Sequence, residues 1–154
     1  MIRNLLSLVF LVVVMLSSAT ARADQGADEA IIKELFANRD AAWNAHDATG
    51  WSAFFALDGH FTNWRGERVQ GRENIRAFHE PLFAGMFKES TNTTTSARIT
   101  FYGADLAIAE NDTEMTGALD PAGQSTPVRK YRPLIVLKKS NGKWDIVVFQ
   151  NLKI

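Results

Sequence analysis

"WNAHDATGWSAFFALDGHFTNWRGERVQGRENI", residues 43–75, is the segment from which the architecture can be read. Trp43 closes an apolar stripe that recurs every three or four residues, so it sits at the end of a helix. Asp47 is placed to cap a second, shorter helix carrying Trp51, Phe54 and Phe55. Asp58-Gly59 is a turn signal. His60 to Trp64 alternates as a strand does, Arg65-Gly66-Glu67 turns the chain, and Gly71 opens another helix at Ile75. The order helix, short helix, strand, turn, helix is therefore expected.

On the N-terminal side, Ile31, Ile32, Leu35, Phe36, Ala42 and Trp43 form the stripe of the first helix, with Asp28 as its cap and His46 near its end. On the C-terminal side, Ile75, Phe78, His79, Leu82 and Met86 share one face of the third helix, and Pro81 predicts a kink or break there. Beyond Ser90 the chain becomes β-favouring. Strands are predicted over Ala97–Tyr102, Leu106–Met115, Val128–Lys138 and Trp144–Leu152. Asn141-Gly142 joins the last two as a tight hairpin. Helices followed by an antiparallel meander make the class α+β, with a curved sheet wrapped on three N-terminal helices and a pocket between them.

The first residues read differently. Arg3 precedes an apolar core from Leu5 to Leu16, and Ala21-Arg22-Ala23 is a small-x-small site. That order is a secretory signal peptide, so 1–23 is expected to be cleaved and 24–154 to form one domain. This stretch of twelve residues, broken only by Ser7, falls short of the roughly 20 that a spanning helix needs. The expected location is the periplasm or the exterior, with no membrane attachment after cleavage. Losing Arg3 and Arg22 takes the 17 basic residues to 15 against 17 acidic, a net charge of −2. No basic excess points to nucleic acid. Cysteine is absent, which removes disulfides and thiolate metal sites.

The 43–75 segment, together with "SNGKWDIVVFQN" at 140–151, resembles the nuclear transport factor 2-like superfamily. "FHEPLFAGMFKES", residues 78–90, resembles its SgcJ/EcaC branch. The resemblance implies a cone-shaped fold enclosing a pocket, commonly dimeric through the sheet face. It implies ligands that are small apolar molecules, and activities ranging from isomerase, dehydratase and cyclase to binding modules without catalysis. The branch often carries the word oxidoreductase, but no glycine fingerprint for a nucleotide is present, so no cofactor is expected. Aligned with ketosteroid isomerase, the isomerase's base falls on Asn63 and its oxyanion tyrosine on Arg39. Neither position keeps the catalytic identity.

Candidate site residues follow from chemistry and parity. His79 lies on the inner face of its helix and is a candidate acid–base group, or else a core histidine bonded locally. Glu110, Asp112 and Glu114 share one face of a strand. If that face lines the pocket, Asp112 and Glu114 are candidate catalytic acids; if it faces water, they are a solvated stripe. Asn63 is placed to hold a carbonyl or hydroxyl, or is satisfied by nearby backbone. Arg39, Trp43 and Phe61 are assigned to the ligand wall. Gln150 is taken as the inward amide of the last strand in preference to Asn151. Arg65, Arg68 and Arg72 either clamp an anion or pair locally. The three histidines share no metal-ligand spacing, so no metal is expected. Two readings stay open: a small exported enzyme, and a non-catalytic pocket or dimeric module.

Overall fold

The computed structural model describes residues 24–154, so the signal-peptide assignment lies outside the described residues. Helix α1 covers 24–44, and α2, Ala48–Ser52, follows with Asp47 as its N-cap, the carboxylate accepting from the Gly50 N–H at 2.9 Å. Phe54 and Phe55 do not extend α2: strand β1 already starts at Phe55 and runs to Thr62. Strand β2, Arg68–Gln70, returns along β1, and α3 spans Arg72–Ala84. The remaining strands are β3, Thr91–Phe101; β4, Leu106–Thr116; β5, Arg129–Tyr131; β6, Leu134–Ser140; and β7, Lys143–Gln150.

The strand order is β2-β1-β7-β6-β4-β3, with β5 pairing to β4. The α+β class holds, but the sheet is mixed: β1 runs parallel to β7, while the other pairs are antiparallel. Pro133 splits the single strand expected over Val128–Lys138 into β5 and β6, since it has no N–H to give a ladder. Pro81 does not end α3, which continues to Ala84. The missing bond falls in the last turn, after the buried Ile75 and His79 have set the inner face. Asn141 and Gly142 both take positive φ, 51° and 79°, as the tight hairpin turn demands.

The buried stripe of α1 is shifted from the expected one. Ile31 is exposed, while Asp28, Ile32, Leu35, Phe36, Arg39 and Trp43 are buried. Asp28 is not a cap. It lies within the helix and accepts from Lys139 Nζ at 2.7 and 3.0 Å and from Trp144 Nε1 at 3.0 Å. One buried carboxylate therefore pins the start of α1 to β6 and β7. The other end of α1 covers part of the outer edge of β3. Asn44 pairs with both the N–H and C=O of Asn92, and Asp40 accepts from the Thr94 N–H at 2.6 Å. An edge strand treated this way offers fewer free backbone groups to another chain.

Asp28→Ala should cost about 2–3 kcal/mol, because it leaves a lysine and an indole N–H without their buried acceptor. Denaturant titration should show a lower midpoint at unchanged slope, with Asp28→Asn costing less. A midpoint equal to that of the parent chain would show that this tie does not hold α1 in place.

Candidate active site

Between the helices and the inner face of the sheet lies a cavity of about 110 Å³. Its buried wall includes Trp43, Trp51, Phe61, Phe87, Met115, Tyr131 and Phe149; Trp64, Arg65 and Glu67 are its exposed members and mark the mouth. The size suits a compact molecule of the order of one small ring, by comparison with a 150 Å³ engineered cavity that takes benzene.

His79 is the most informative group in this wall. It is 1 % exposed and lies 4.1 Å from the Trp51 ring and 4.8 Å from the Phe61 ring, centroid to centroid. Trp43, Phe78 and Phe83 complete its surroundings. Burial among these rings pushes its pKa down to about 4, against the opposing pull of the Ile75 carbonyl, so the ring is neutral at pH 7. Nδ1 sits 2.8 Å from the Ile75 oxygen. A carbonyl only accepts, so Nδ1 carries the proton and Nε2 keeps a bare lone pair. The backbone of α3 thus selects one tautomer, and no partner for Nε2 occurs among the described residues.

Arg39 is 2 % exposed and projects from the same face of α1 as Trp43. Its guanidinium carbon lies 5.3 Å from the Phe36 ring centre and 5.4 Å from that of Phe149. Nη2 donates to Asp40 Oδ1 and Thr94 Oγ1, both at 3.2 Å, while Nη1 is buried without a partner among the described residues. Burial lowers its pKa and Asp40 opposes that fall. A guanidinium remains charged regardless. Trp43 is held by its indole N–H, which donates to Ser90 Oγ at 3.0 Å.

Asn63 lines the mouth, but its amide serves the turn. It is the residue after β1, not a strand residue. Its Oδ1 accepts from the N–H groups of Arg65 and Glu67 at 2.9 and 3.0 Å, and its Nδ2 donates to the Glu67 carboxylate. Short polar side chains that bond the backbone two to four residues on are a normal way to build a turn.

Asp112 and Glu114 point away from the cavity, contrary to the assignment as acids lining it. Inward positions on β4 are Ala107, Ala109, Asn111, Thr113 and Met115. Asp112 pairs with Arg132 at 2.7 Å and Ser96 at 2.9 Å, Glu114 with Lys130 at 3.0 Å, and Glu110 with Arg98 at 3.6 Å. The Arg132 and Ser96 contacts lower the Asp112 pKa, opposite to what a proton donor near neutrality needs. Gln150 also faces outward. Val136 pairs with Val148 but Leu137 pairs with Ile146, so Val147 is an extra residue in β7. The bulge reverses parity beyond it. Phe149 and Asn151 then line the cavity instead, and Asn151 Oδ1 is buried without a partner among the described residues. Arg72 does not clamp an anion: its Nε donates to the Phe55 carbonyl at 2.7 Å. Arg65 lies over the Trp64 ring.

Residues missed by parity alone are Thr113, Asn151 and Trp51. Alternation would have reached Thr113 had Ala107 and Ala109 been taken as the inner face. No local signal marks the bulge at Val147.

A histidine whose folded pKa lies below its unfolded value binds its proton more readily when unfolded. Stability from His79 is therefore complete above pH 6.5 and lost as pH falls toward about 4. Between those limits it amounts to about 3 kcal/mol. Unfolding free energies at pH 7 and pH 4.5 should differ by less in His79→Gln than in the parent chain. An equal loss in both would show that His79 takes up its proton without penalty.

The family profile described as a SnoaL-like domain matches residues 35–145. No curated protein matches the chain. Among solved structures, an uncharacterised protein with a cystatin-like fold from Caulobacter vibrioides is 21 % identical, covers 84 % of this chain and 90 % of its own, and has a TM-score of 0.75. A domain of unknown function with a cystatin-like fold from Nostoc punctiforme is 25 % identical over 83 % of this chain and 78 % of its own, with a TM-score of 0.73. A hexachlorocyclohexane dehydrochlorinase, LinA-type3, from Novosphingobium barchaimii is 16 % identical over 85 % and 89 %, with a TM-score of 0.77. Identities this low speak for a shared fold, the nuclear transport factor 2-like one. With most of the chain inside the family profile and the fold in agreement, this protein belongs to the SnoaL-like domain family.

Proposed function

We propose that the cavity binds a small, largely apolar molecule and offers it the lone pair of His79 Nε2 as hydrogen-bond acceptor. The observation that carries this reading is the Nδ1–Ile75 hydrogen bond, which fixes the tautomer of a neutral histidine in an aromatic wall. A wall that joins aromatic faces to convergent polar groups is the usual make-up of a ligand site. The chemistry of the dehydrochlorinases is not transferred to this chain, since the likeness to them concerns the fold.

The same lone pair supports a second reading, an enzyme of isomerase, dehydratase or cyclase type in which His79 is the base. Asp112 and Glu114 take no part in it, because both are engaged on the outer face. The proposal extends to three further points. The 78–90 segment supports the SgcJ/EcaC branch. The 1–23 pattern supports export to the periplasm or exterior. Exposed Val128, Leu134 and Leu152 support a homodimer through the sheet.

A thermal-shift screen of small apolar compounds on the full chain tests the binding reading. A hit should lose at least tenfold in affinity in Leu82→Phe, which puts extra volume into the lining, while that variant stays folded. Hits that bind Leu82→Phe unchanged would place them elsewhere. For the enzyme reading, His79→Gln should lower turnover by about 10²–10⁴. The rate of the parent chain should be flat from pH 6 to 8 and fall only as pH drops toward about 4, where the base becomes protonated. A rate unchanged in His79→Gln would remove that reading and leave the binding one.

A further inference from the structure

We infer that the molecule taken by this cavity is a compact organic acid, its carboxylate received by Arg39. This inference rests on the binding reading above and names its ligand class. An arginine within an apolar helix stripe is costly to bury unless its donors are used. Asp40 and Thr94 use one end of the Arg39 fork, and Nη1 of this cavity-lining residue remains buried without a partner among the described residues. The guanidinium packs against both the Phe36 and the Phe149 ring, which restricts how it can turn away. Asp40 is itself occupied: it also accepts from Asn92 Nδ2 at 2.9 Å and from the Thr94 N–H at 2.6 Å. It is therefore shared among several donors and does not answer Nη1.

A carboxylate is the group that suits this position. It accepts a charge-assisted hydrogen bond, which is stronger than one made by a neutral oxygen. The rest of the wall fits the other half of such a ligand: Trp43, Phe61 and Phe149 offer apolar faces. Among the described lining residues Glu67 is the acid, and it lies at the exposed mouth; at the buried end the Asp40 carboxylate is engaged with Nη2, which leaves the Nη1 side of the fork for a ligand. The volume of about 110 Å³ sets the scale of the enclosed part at one small ring or a short branched chain.

The test uses benzoate and its neutral isostere benzamide on the full chain, by calorimetry at pH 7 and constant ionic strength. Benzoate should bind at least tenfold more tightly than benzamide. In Arg39→Met, which keeps an unbranched apolar stem and removes the guanidinium with its charge, the preference should vanish. Arg39→Lys, which keeps a charge without the fork, should retain part of it. Circular dichroism on each variant reports folding, and the comparison within the parent chain needs no variant. Benzamide binding as tightly as benzoate in the parent chain would overturn the acid assignment while leaving the pocket reading intact. Binding of neither would overturn both.

Discussion

Asp40 holds the end of α1 against the edge strand β3, and the cavity depends on that contact. Its carboxylate accepts from the Arg39 guanidinium, the Asn92 amide and the Thr94 backbone N–H at once. Those bonds place Arg39 in the wall and hold the helix turn from which Trp43 reaches Ser90. A buried carboxylate with several donors is favourable only if every donor stays in position. Asp28 does the same work at the other end of α1, through Lys139 and Trp144. The helix is held to the sheet by acids at both ends, with apolar packing between.

Within the space so defined, His79 and Arg39 are placed by their neighbours. The α3 backbone determines which nitrogen of His79 is bare, and the rings around it keep it neutral. Phe36 and Phe149 flank Arg39. The β-bulge at Val147 determines that Asn151, and not Gln150, faces inward. An acceptor on α3 and a donor on α1 within one apolar cavity is a binding geometry with polarity, able to orient a ligand as well as enclose it.

Much of this is legible in the sequence. Trp43, Phe61 and His79 stand in the wall where helical and strand periodicity put them, because these are strong patterns on long elements. The acid stripe was harder. Leu106 and Ile108 look like the inner residues of β4, yet the fully buried positions are Ala107 and Ala109. Small side chains mark close packing, and their low hydropathy conceals it. The larger apolar residues remain half-buried on the outer face, beside the ion pairs of Glu110, Asp112 and Glu114. Asn63 was placed correctly near the pocket, but its amide closes a turn, a use that only the path of residues 63–67 reveals. Gln150 departs from the expected parity for a different reason: one extra residue in a strand inverts every later side chain, and nothing in the local sequence announces it.

The most direct test of the account is the protonation state of His79 observed atom by atom. Nitrogen-15 NMR of the imidazole in the full chain distinguishes a protonated from a bare ring nitrogen. The account predicts a protonated Nδ1 and a bare Nε2 from pH 8 down to about pH 5, with titration near pH 4. A proton on Nε2 at neutral pH, or titration near 6.5 as in an open chain, would contradict it.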